Sequence, residues 1–486
     1  MTLLLHCVVT YGTWPLDITH IIDGLNDPQR AAVSAPLNNS LVVAGAGSGK
    51  TRVLVHRIAW LIEVEAVSPH SILAVTFTNK AAAELRARTE NLLNISARSM
   101  WVGTFHSLAH RLLRMHWAEA KLPQNFQILD SDDQIRLLKR IMKTLDIDEK
   151  KWPARQAAWF INGQKDEGLR AHQVPGGDDL FQITHKRIYQ GYEDVCDQGG
   201  LVDFAELLLR SHELWLNDAS LLQHYQQRFG HLLVDEFQDT NAIQYAWLRV
   251  LAGNESRIMA VGDDDQSIYG WRGAKIENIH NFSQHFADVQ TIRLEQNYRS
   301  TKNILDAANG LIQQNTDRLG KELWSADAAG EPIKVYAGFN DLDEARFIVE
   351  RIEQWLEAGG NADEVAVLYR SNAQSRVIEE ALLRANIAYQ IYGGQRFFER
   401  AEIKNALAYM RLIEDRHSDP AFERVVNTPP RGIGDKSIES IRQLARSRKL
   451  SMWTAAKTGI SEGLFPARVQ KTVSVFIQLI DDLADA

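Results

Sequence analysis

Cysteine is nearly missing from this sequence: Cys7 and Cys196 are the two in 486 residues. One bridge could not staple a chain of this length, and no Cys/His grouping has zinc-ligand spacing, so disulfide scaffolds and zinc modules are excluded. A reducing cytoplasm is the expected compartment. Long apolar runs are missing too. Nothing approaches the roughly 18 apolar residues of a membrane span, and the mildly apolar stretch 1–15 carries no Lys or Arg, so it lacks the basic start of a secretory signal. No membrane partner is expected. Positive charge is not in excess either: 54 Lys and Arg face 62 Asp and Glu, a net charge of -8. That excludes binding nucleic acid through global basicity. It leaves room for a local basic groove, because phosphate attraction is screened beyond roughly 10 Å in physiological salt. Low-complexity tracts and repeats at solenoid periods are absent as well.

What is present is ordinary globular composition, 45% hydrophobic and 24% charged, with length for about three domains. The segment 25–30, with Pro28 near its start, opens a helix. Leu41-Val42-Val43-Ala44 reads as a strand, a glycine-rich loop follows, and Leu54, Ile58 and Leu61 recur at helical spacing, which together open an α/β domain. A strand at 72–77 and a helix at 80–88 continue it. From 105 to 229 strand signals fade, Ile135, Leu138, Met142 and Leu145 mark helices, and Ser131 with Gln134 reads as a capping box. Strands resume at 232–234 and 258–261. A second α/β unit is expected from strands at 333–337, 365–369 and 388–392 alternating with helices at 344–356 and 374–384, paired in parallel through right-handed crossovers. After Gly393-Gly394 the pattern is helical to the end, through 403–413 and 437–444.

Ala44-Gly45-Ala46-Gly47-Ser48-Gly49-Lys50-Thr51 is a phosphate loop with Ala in the first glycine position. Its backbone N–H groups and the following helix N-terminus suit the α/β-phosphates of ATP, Lys50 the β/γ-phosphates, and Thr51 a Mg²⁺ ion. Such a loop needs carboxylates at a neighbouring strand end, and Leu232-Leu233-Val234-Asp235-Glu236 supplies them. Asp235 is the candidate metal ligand. Glu236 is the candidate base for the attacking water. Elsewhere Phe77, Tyr269 and Trp271 follow strand ends beside polar Thr76, Asn79 and Arg272, where aromatics have no obvious core to join; stacking on bases suits them. A phosphate-loop kinase would need an acceptor site and explains none of these aromatics.

These segments, with Val261-Gly262-Asp263-Asp264-Asp265-Gln266-Ser267-Ile268-Tyr269-Gly270-Trp271-Arg272-Gly273-Ala274, Ala74-Val75-Thr76-Phe77-Thr78-Asn79-Lys80, Val102-Gly103-Thr104-Phe105-His106-Ser107, Gln296-Asn297-Tyr298-Arg299-Ser300 and Tyr369-Arg370-Ser371-Asn372, resemble the superfamily 1 DNA helicases of the UvrD/Rep/PcrA group. The resemblance runs from about residue 18 nearly to the end. It implies an α/β fold of two RecA-like domains, each with an inserted helical subdomain. The ranges are 18–104 with 230–295 for the first RecA-like domain, 105–229 for its insertion, 296–392 for the second and 393–486 for a second insertion. It further implies Gln29 on the adenine edge, Tyr298 and Arg52 flanking the ring, Gln266 as a sensor between γ-phosphate and DNA, and Arg299, on the second domain, as an arginine finger. ATP would sit between the two sheets. Thr104, His106, Arg370 and Asn372 match backbone-contacting positions, Trp271 the principal base-stacking residue, and Gly432-Ile433-Gly434 a helix-hairpin-helix turn for duplex phosphate.

The implied activity is an ATP-dependent DNA helicase stepping 3′ to 5′ along single strands and single-strand/duplex junctions in excision and mismatch repair. Repair proteins and further copies on DNA are the implied partners, and the bacterial nucleoid the implied location. Two motifs that close the family pattern, a Gly-Leu-Glu segment and a second γ-phosphate arginine, are not found before Ala486. The expectation is therefore a C-terminally truncated helicase with its second domain pair incomplete, and a disordered extension at 1–17 from an over-extended translation start. The alternative is an ATP- and DNA-binding remnant with little turnover.

Overall fold

A computed structural model describes residues 17–177, 179–316, 318–392 and 400–485. Nearly all of the 1–17 extension and the Gly393-Gly394 turn lie outside the described residues. The chain divides into two compact units, one running to Ile333 and the other from Lys334. The fold is mixed α/β, with a parallel sheet flanked by helices. No helix among the described residues is long and apolar enough to cross a membrane.

In the first unit, the strands are β1 (Ser40–Ala44), β2 (Ile72–Thr76), β3 (Trp101–Thr104), β4 (Gln127–Ile128), β5 (Leu201–Val202), β6 (His231–Val234), β7 (Arg257–Gly262) and β8 (Gln290–Leu294). Six of them form one sheet in the order β3-β2-β6-β7-β1-β8, every neighbouring pair parallel, and β4 with β5 forms a separate two-stranded ladder. Side chains alternate between two cores. Leu41, Val43, Leu73, Val75, Leu232, Val234, Ile258 and Ala260 join one, while Val42, Ala44, Ile72, Ala74, Leu233, Met259 and Val261 join the other. A sheet covered on both faces needs apolar residues at both parities, which is why these strands read as unbroken hydrophobic runs.

Register decides where the chemistry lands. Val43 lies beside Gly262, Val234 beside Ala260, Val75 beside Val234, and Thr76 beside Thr104. The loops that leave β1, β7, β6, β2 and β3 therefore emerge along one edge, the carboxyl end of a parallel sheet, where ligands bind in open α/β folds.

Between β3 and β6 the chain is mainly helical, as expected, and its core gathers Leu137, Leu138, Ile141, Ile161, Ile188, Tyr189 and Tyr192. The expected capping box is corrected by one position: Asp130 caps the helix Ser131–Thr144 by accepting from Asp133 N–H, and Gln134 turns inward to Asn162 and Asp203. An acidic side chain directly before the helix competes better for the open N–H groups than a serine inside it.

The second unit places helices at Asp341–Glu357, Asn372–Arg384, Ala401–Glu414, Asp435–Arg448, Met452–Ser461 and Ala467–Asp485. The strands expected at 333–337, 365–369 and 388–392 carry no ladder among the described residues. Val365, Val367 and Ile387 do face a small core with Val349, Ile352 and Leu382, while Val335 and Leu368 are each 94% exposed. Alternation set the facing of these segments, but a strand also needs a partner for its N–H and C=O groups. A larger helical core lies around Phe422, Trp453 and Phe476.

Candidate nucleotide and strand-binding site

The phosphate loop follows β1 directly, and two of its glycines sit where L side chains are strained: Gly47 at φ 67° and Gly49 at φ 91°. A Cβ on Gly47 would meet the Asn297 side chain at 2.5 Å. The loop is held from within and from outside. Ser48 Oγ donates to Gly45 C=O at 2.7 Å, Asn297 Nδ2 to Ala46 C=O at 2.6 Å, Gln29 Nε2 to Ser48 C=O at 2.9 Å, and Tyr298 N–H to Gly47 C=O at 3.0 Å. Every one of these bonds uses a carbonyl. The N–H groups of Ala46, Gly47 and Gly49 have no acceptor among the described residues, and those of Lys50 and Thr51 belong to the open first turn of the helix Lys50–Glu63. This is a cradle of donors suited to an anion.

Lys50 Nζ lies 3.5 Å from Glu236 Oε2 and 3.9 Å from Asp263 Oδ2. Glu236 adopts φ 49°, a rare conformation for a residue with a side chain, just after β6. Its carboxylate accepts from Gln238 Nε2 at 2.8 Å, and Gln238 Oε1 accepts from Asp263 N–H at 2.9 Å. Asp235 is 6% exposed. Burial first, and then the charge of Glu236, push its carboxyl up to about 7 against the pull of Lys50. The same two causes push Asp239 up to about 7, and one of its oxygens is buried without a partner among the described residues. A crowded acidic group served by one lysine is what a divalent cation would relieve, so Asp235 with the Thr51 hydroxyl fits a Mg²⁺ bound with nucleotide phosphates.

Around the adenine position expected from sequence, Gln29 is buried and its amide is engaged at both ends, accepting from Asn26 N–H at 3.2 Å and donating to Ser48. Tyr298 is 51% exposed and its hydroxyl accepts from Asn26 Nδ2 at 2.8 Å. Arg52 lies over Gly24, where an added Cβ would meet its guanidinium at 2.4 Å. Arg299 is exposed beside the loop, its N–H donating to Asn297 Oδ1 at 2.7 Å, and it lies in the first unit together with Lys50.

The aromatics expected to stack on bases come together. Phe77 stacks on Tyr269 at 5.2 Å, Tyr269 neighbours Trp271 at 6.4 Å, and the Arg272 guanidinium covers Trp271 at 4.6 Å. Trp271 is 75% exposed, far more than a core tryptophan. Asn79 opens the next helix after the Thr78 cap, and Thr104 caps the helix Phe105–Met115 through Ser107. His106 is half-buried, and burial lowers its pKa, which favours the neutral ring. In the second unit, Arg370 and Asn372 are exposed at the start of the helix Asn372–Arg384. Gly432 has φ 76°, but Ile433 is fully buried and its N–H donates to Asn427 Oδ1 at 3.3 Å, which leaves Gly434 at the helix start as the freer end of that turn.

Sequence reasoning passed over four residues of this site. Asn297 holds the phosphate loop, and Asp263 bonds Gln266 Nε2 and faces Lys50. Lys321 pairs with Asp263, Asp264 and Asp265. Phe204 is 53% exposed with its ring edge-on to His106 at 6.2 Å. The run of three aspartates was a signal for a buried cation. Phe204, inside an apolar helical stretch, gave none.

A model of the UvrD/REP helicase N-terminal domain matches residues 25–287, and one of the UvrD-like helicase C-terminal domain matches residues 292–463. DNA helicase II of Escherichia coli strain K12 is 61% identical over 469 residues, which cover 96% of this chain and 65% of that protein. DNA helicase II of Haemophilus influenzae is 57% identical over 472 residues, with 96% and 65% covered. The ATP-dependent DNA helicase PcrA of Staphylococcus aureus strain Mu50 is 39% identical over 464 residues, covering 95% and 63%. The chain thus spans about 65% of the length of the first two relatives.

Proposed function

The chain belongs to the UvrD/REP helicase family, and from that premise we propose that it binds Mg²⁺-ATP on the 45–51 loop and a single DNA strand across Phe77, Tyr269 and Trp271, coupling hydrolysis to stepping and unwinding. One observation carries this reading: Asp263 faces Lys50 and bonds Gln266, which stands three residues before Tyr269 on the same loop. A change at the γ-phosphate position therefore has a short covalent route to the stacking residues. Lys50 binds the β/γ-phosphates, Glu236 orients and deprotonates the attacking water, and Arg299 meets the charge that develops on the γ-phosphoryl group. Mg²⁺ held by Thr51 and Asp235 would neutralise charge on the phosphate oxygens. The rings of Tyr269 and Trp271 give sequence-tolerant stacking.

Travel from 3′ to 5′, work on single-strand/duplex junctions, and a place in excision and mismatch repair with its partner proteins belong to the same proposal. They are supported by the likeness to proteins named DNA helicase II. The test measures ATP hydrolysis by the purified chain with and without oligo-dT, then unwinding of duplexes carrying a 3′ or a 5′ tail. Strand-stimulated hydrolysis with unwinding from 3′ tails is the expected result. Binding of both ligands without turnover would support the remnant reading, and binding of neither would overturn the proposal.

A further inference from the structure

Asp263, Asp264 and Asp265 present carboxylate oxygens that all lie within 4.8 Å of one another. Three like charges so close repel unless a cation sits among them. The chain provides its own. Lys321 Nζ lies 2.7 Å from Asp263, 2.5 Å from Asp264 and 2.9 Å from Asp265, and its side chain is 1% exposed. The segment around it locks the arrangement. Arg318 meets Asp265 through two parallel bonds of 2.7 Å and donates to Lys321 C=O at 3.0 Å, and Leu319 N–H donates to the second oxygen of Asp264 at 2.8 Å.

The position of this lysine gives it more than a packing role. Asp263, with Lys321 on one oxygen, offers its other oxygen to Gln266 Nε2 and to Lys50, and its N–H is held by the Gln238 amide that also bonds Glu236. The turn that Lys321 neutralises therefore separates the phosphate-binding lysine from the stacking platform. We infer that Lys321 is a positioning residue, a tethered cation that holds the Asp263–Asp265 turn so that Gln266, Tyr269 and Trp271 stand ready for a DNA strand. The inference rests on the proposed ATP and strand binding. Without the ammonium, the acidic turn opens by repulsion and the platform behind it loses its place, while the donor cradle of the phosphate loop, built on other residues, is kept.

The test compares wild type, Lys321→Met, Lys321→Arg and the double variant Lys321→Met with Asp264→Asn. Fluorescence anisotropy reads oligo-dT affinity, a fluorescent ATP analogue with Mg²⁺ reads nucleotide affinity, and circular dichroism reads folding. Lys321→Met, close in shape but uncharged, is expected to weaken strand binding roughly tenfold or more, since removing one partner of a buried ion pair is costly. Nucleotide affinity should change less than about threefold, a change too small to reflect loss of a direct charged contact. Lys321→Arg should retain more strand binding than Lys321→Met. In the double variant the asparagine can still accept from Leu319 N–H while one repelling charge is gone, so strand affinity should recover. A side chain needed only for packing would show no such recovery.

Equal strand affinity in wild type and Lys321→Met overturns the inference and leaves the proposed function standing. Loss without recovery in the double variant overturns it as well, and so does a double variant as unfolded as the single one. An unfolded single variant beside a folded, binding double variant supports charge balance. Wild type that binds neither probe overturns both the inference and the function it rests on.

Discussion

At the residue scale, Lys50 and Glu236 face each other at 3.5 Å but serve different steps, so their variants should separate. Lys50→Ala removes the cation that meets the β/γ-phosphates, and a lost charge-assisted bond predicts at least about tenfold weaker Mg²⁺-ATP binding. Titration with and without Mg²⁺ checks it, and unchanged affinity would remove Lys50 from its role. Glu236→Gln keeps an oxygen for the bond from Gln238 while removing basicity. Binding should persist and hydrolysis fall by roughly two to four decades in a form that turns ATP over. Equal losses in both would make Glu236 a metal ligand instead. Trp271 is 75% exposed, so Trp271→Ala should cost the fold little. Strand binding should weaken by about 1–3 kcal/mol with little dependence on base, as stacking predicts. A lowered melting temperature alongside lost ATP binding would mean that the ring supports the core.

At the scale of elements, the sheet was legible where both faces are covered, because β1, β2, β6 and β7 are short apolar runs, and glycine or acidic residues end β1, β6 and β7. The strands β3 and β8 escaped, since Trp101-Val102-Gly103-Thr104 reads equally as a helix approach and Gln290–Leu294 alternates with exposed polar residues. The second unit shows the converse: the alternation at 365–369 is real, but backbone pairing is a property of neighbours that the pattern does not contain. The phosphate-loop and aromatic segments were legible as motifs because each is local. The charge network of the helical region was not, since it joins distant positions: Lys165 Nζ lies 2.7 Å from Asp203 and 2.9 Å from Glu206. Asp166, which ends the helix Ala154–Asp166 that carries Lys165, bears the consequence. Burial raises its carboxyl from the ordinary 3.8 to about 6, with the charges of Asp203 and Glu167 adding and a hydrogen bond to Asn241 opposing. A carboxyl whose folded pKa is raised binds its proton more tightly in the folded state, so stability falls as pH climbs from about 4 through about 6. Asp166→Asn should therefore stabilise by about 1–2 kcal/mol above pH 7, with the gain vanishing near pH 4. Urea midpoints across that range check it, and a gain constant with pH would point to packing rather than ionisation.

At the scale of the whole molecule, each unit carries its own core: Trp101, Trp247 and the sheet residues in the first, Phe422, Trp453 and Phe476 in the second. Separate cores predict separate cooperative transitions on heating, so calorimetry of the chain should resolve more than one. A ligand stabilises only the unit whose folded form it binds, by about 2.7 kcal/mol at a hundred times its dissociation constant. Lys50, Glu236 and Arg299 all precede Lys334, where the second unit starts. A non-hydrolysable ATP analogue with Mg²⁺ should therefore raise the transition of the first unit by a few degrees and leave the other where it was. Lys50→Ala should cut the shift by about half or more, which ties it to the phosphate loop rather than to a general salt effect. If both transitions rise together, nucleotide binding draws on groups beyond Ile333, and Lys50, Glu236 and Arg299 are not the whole phosphate-facing set.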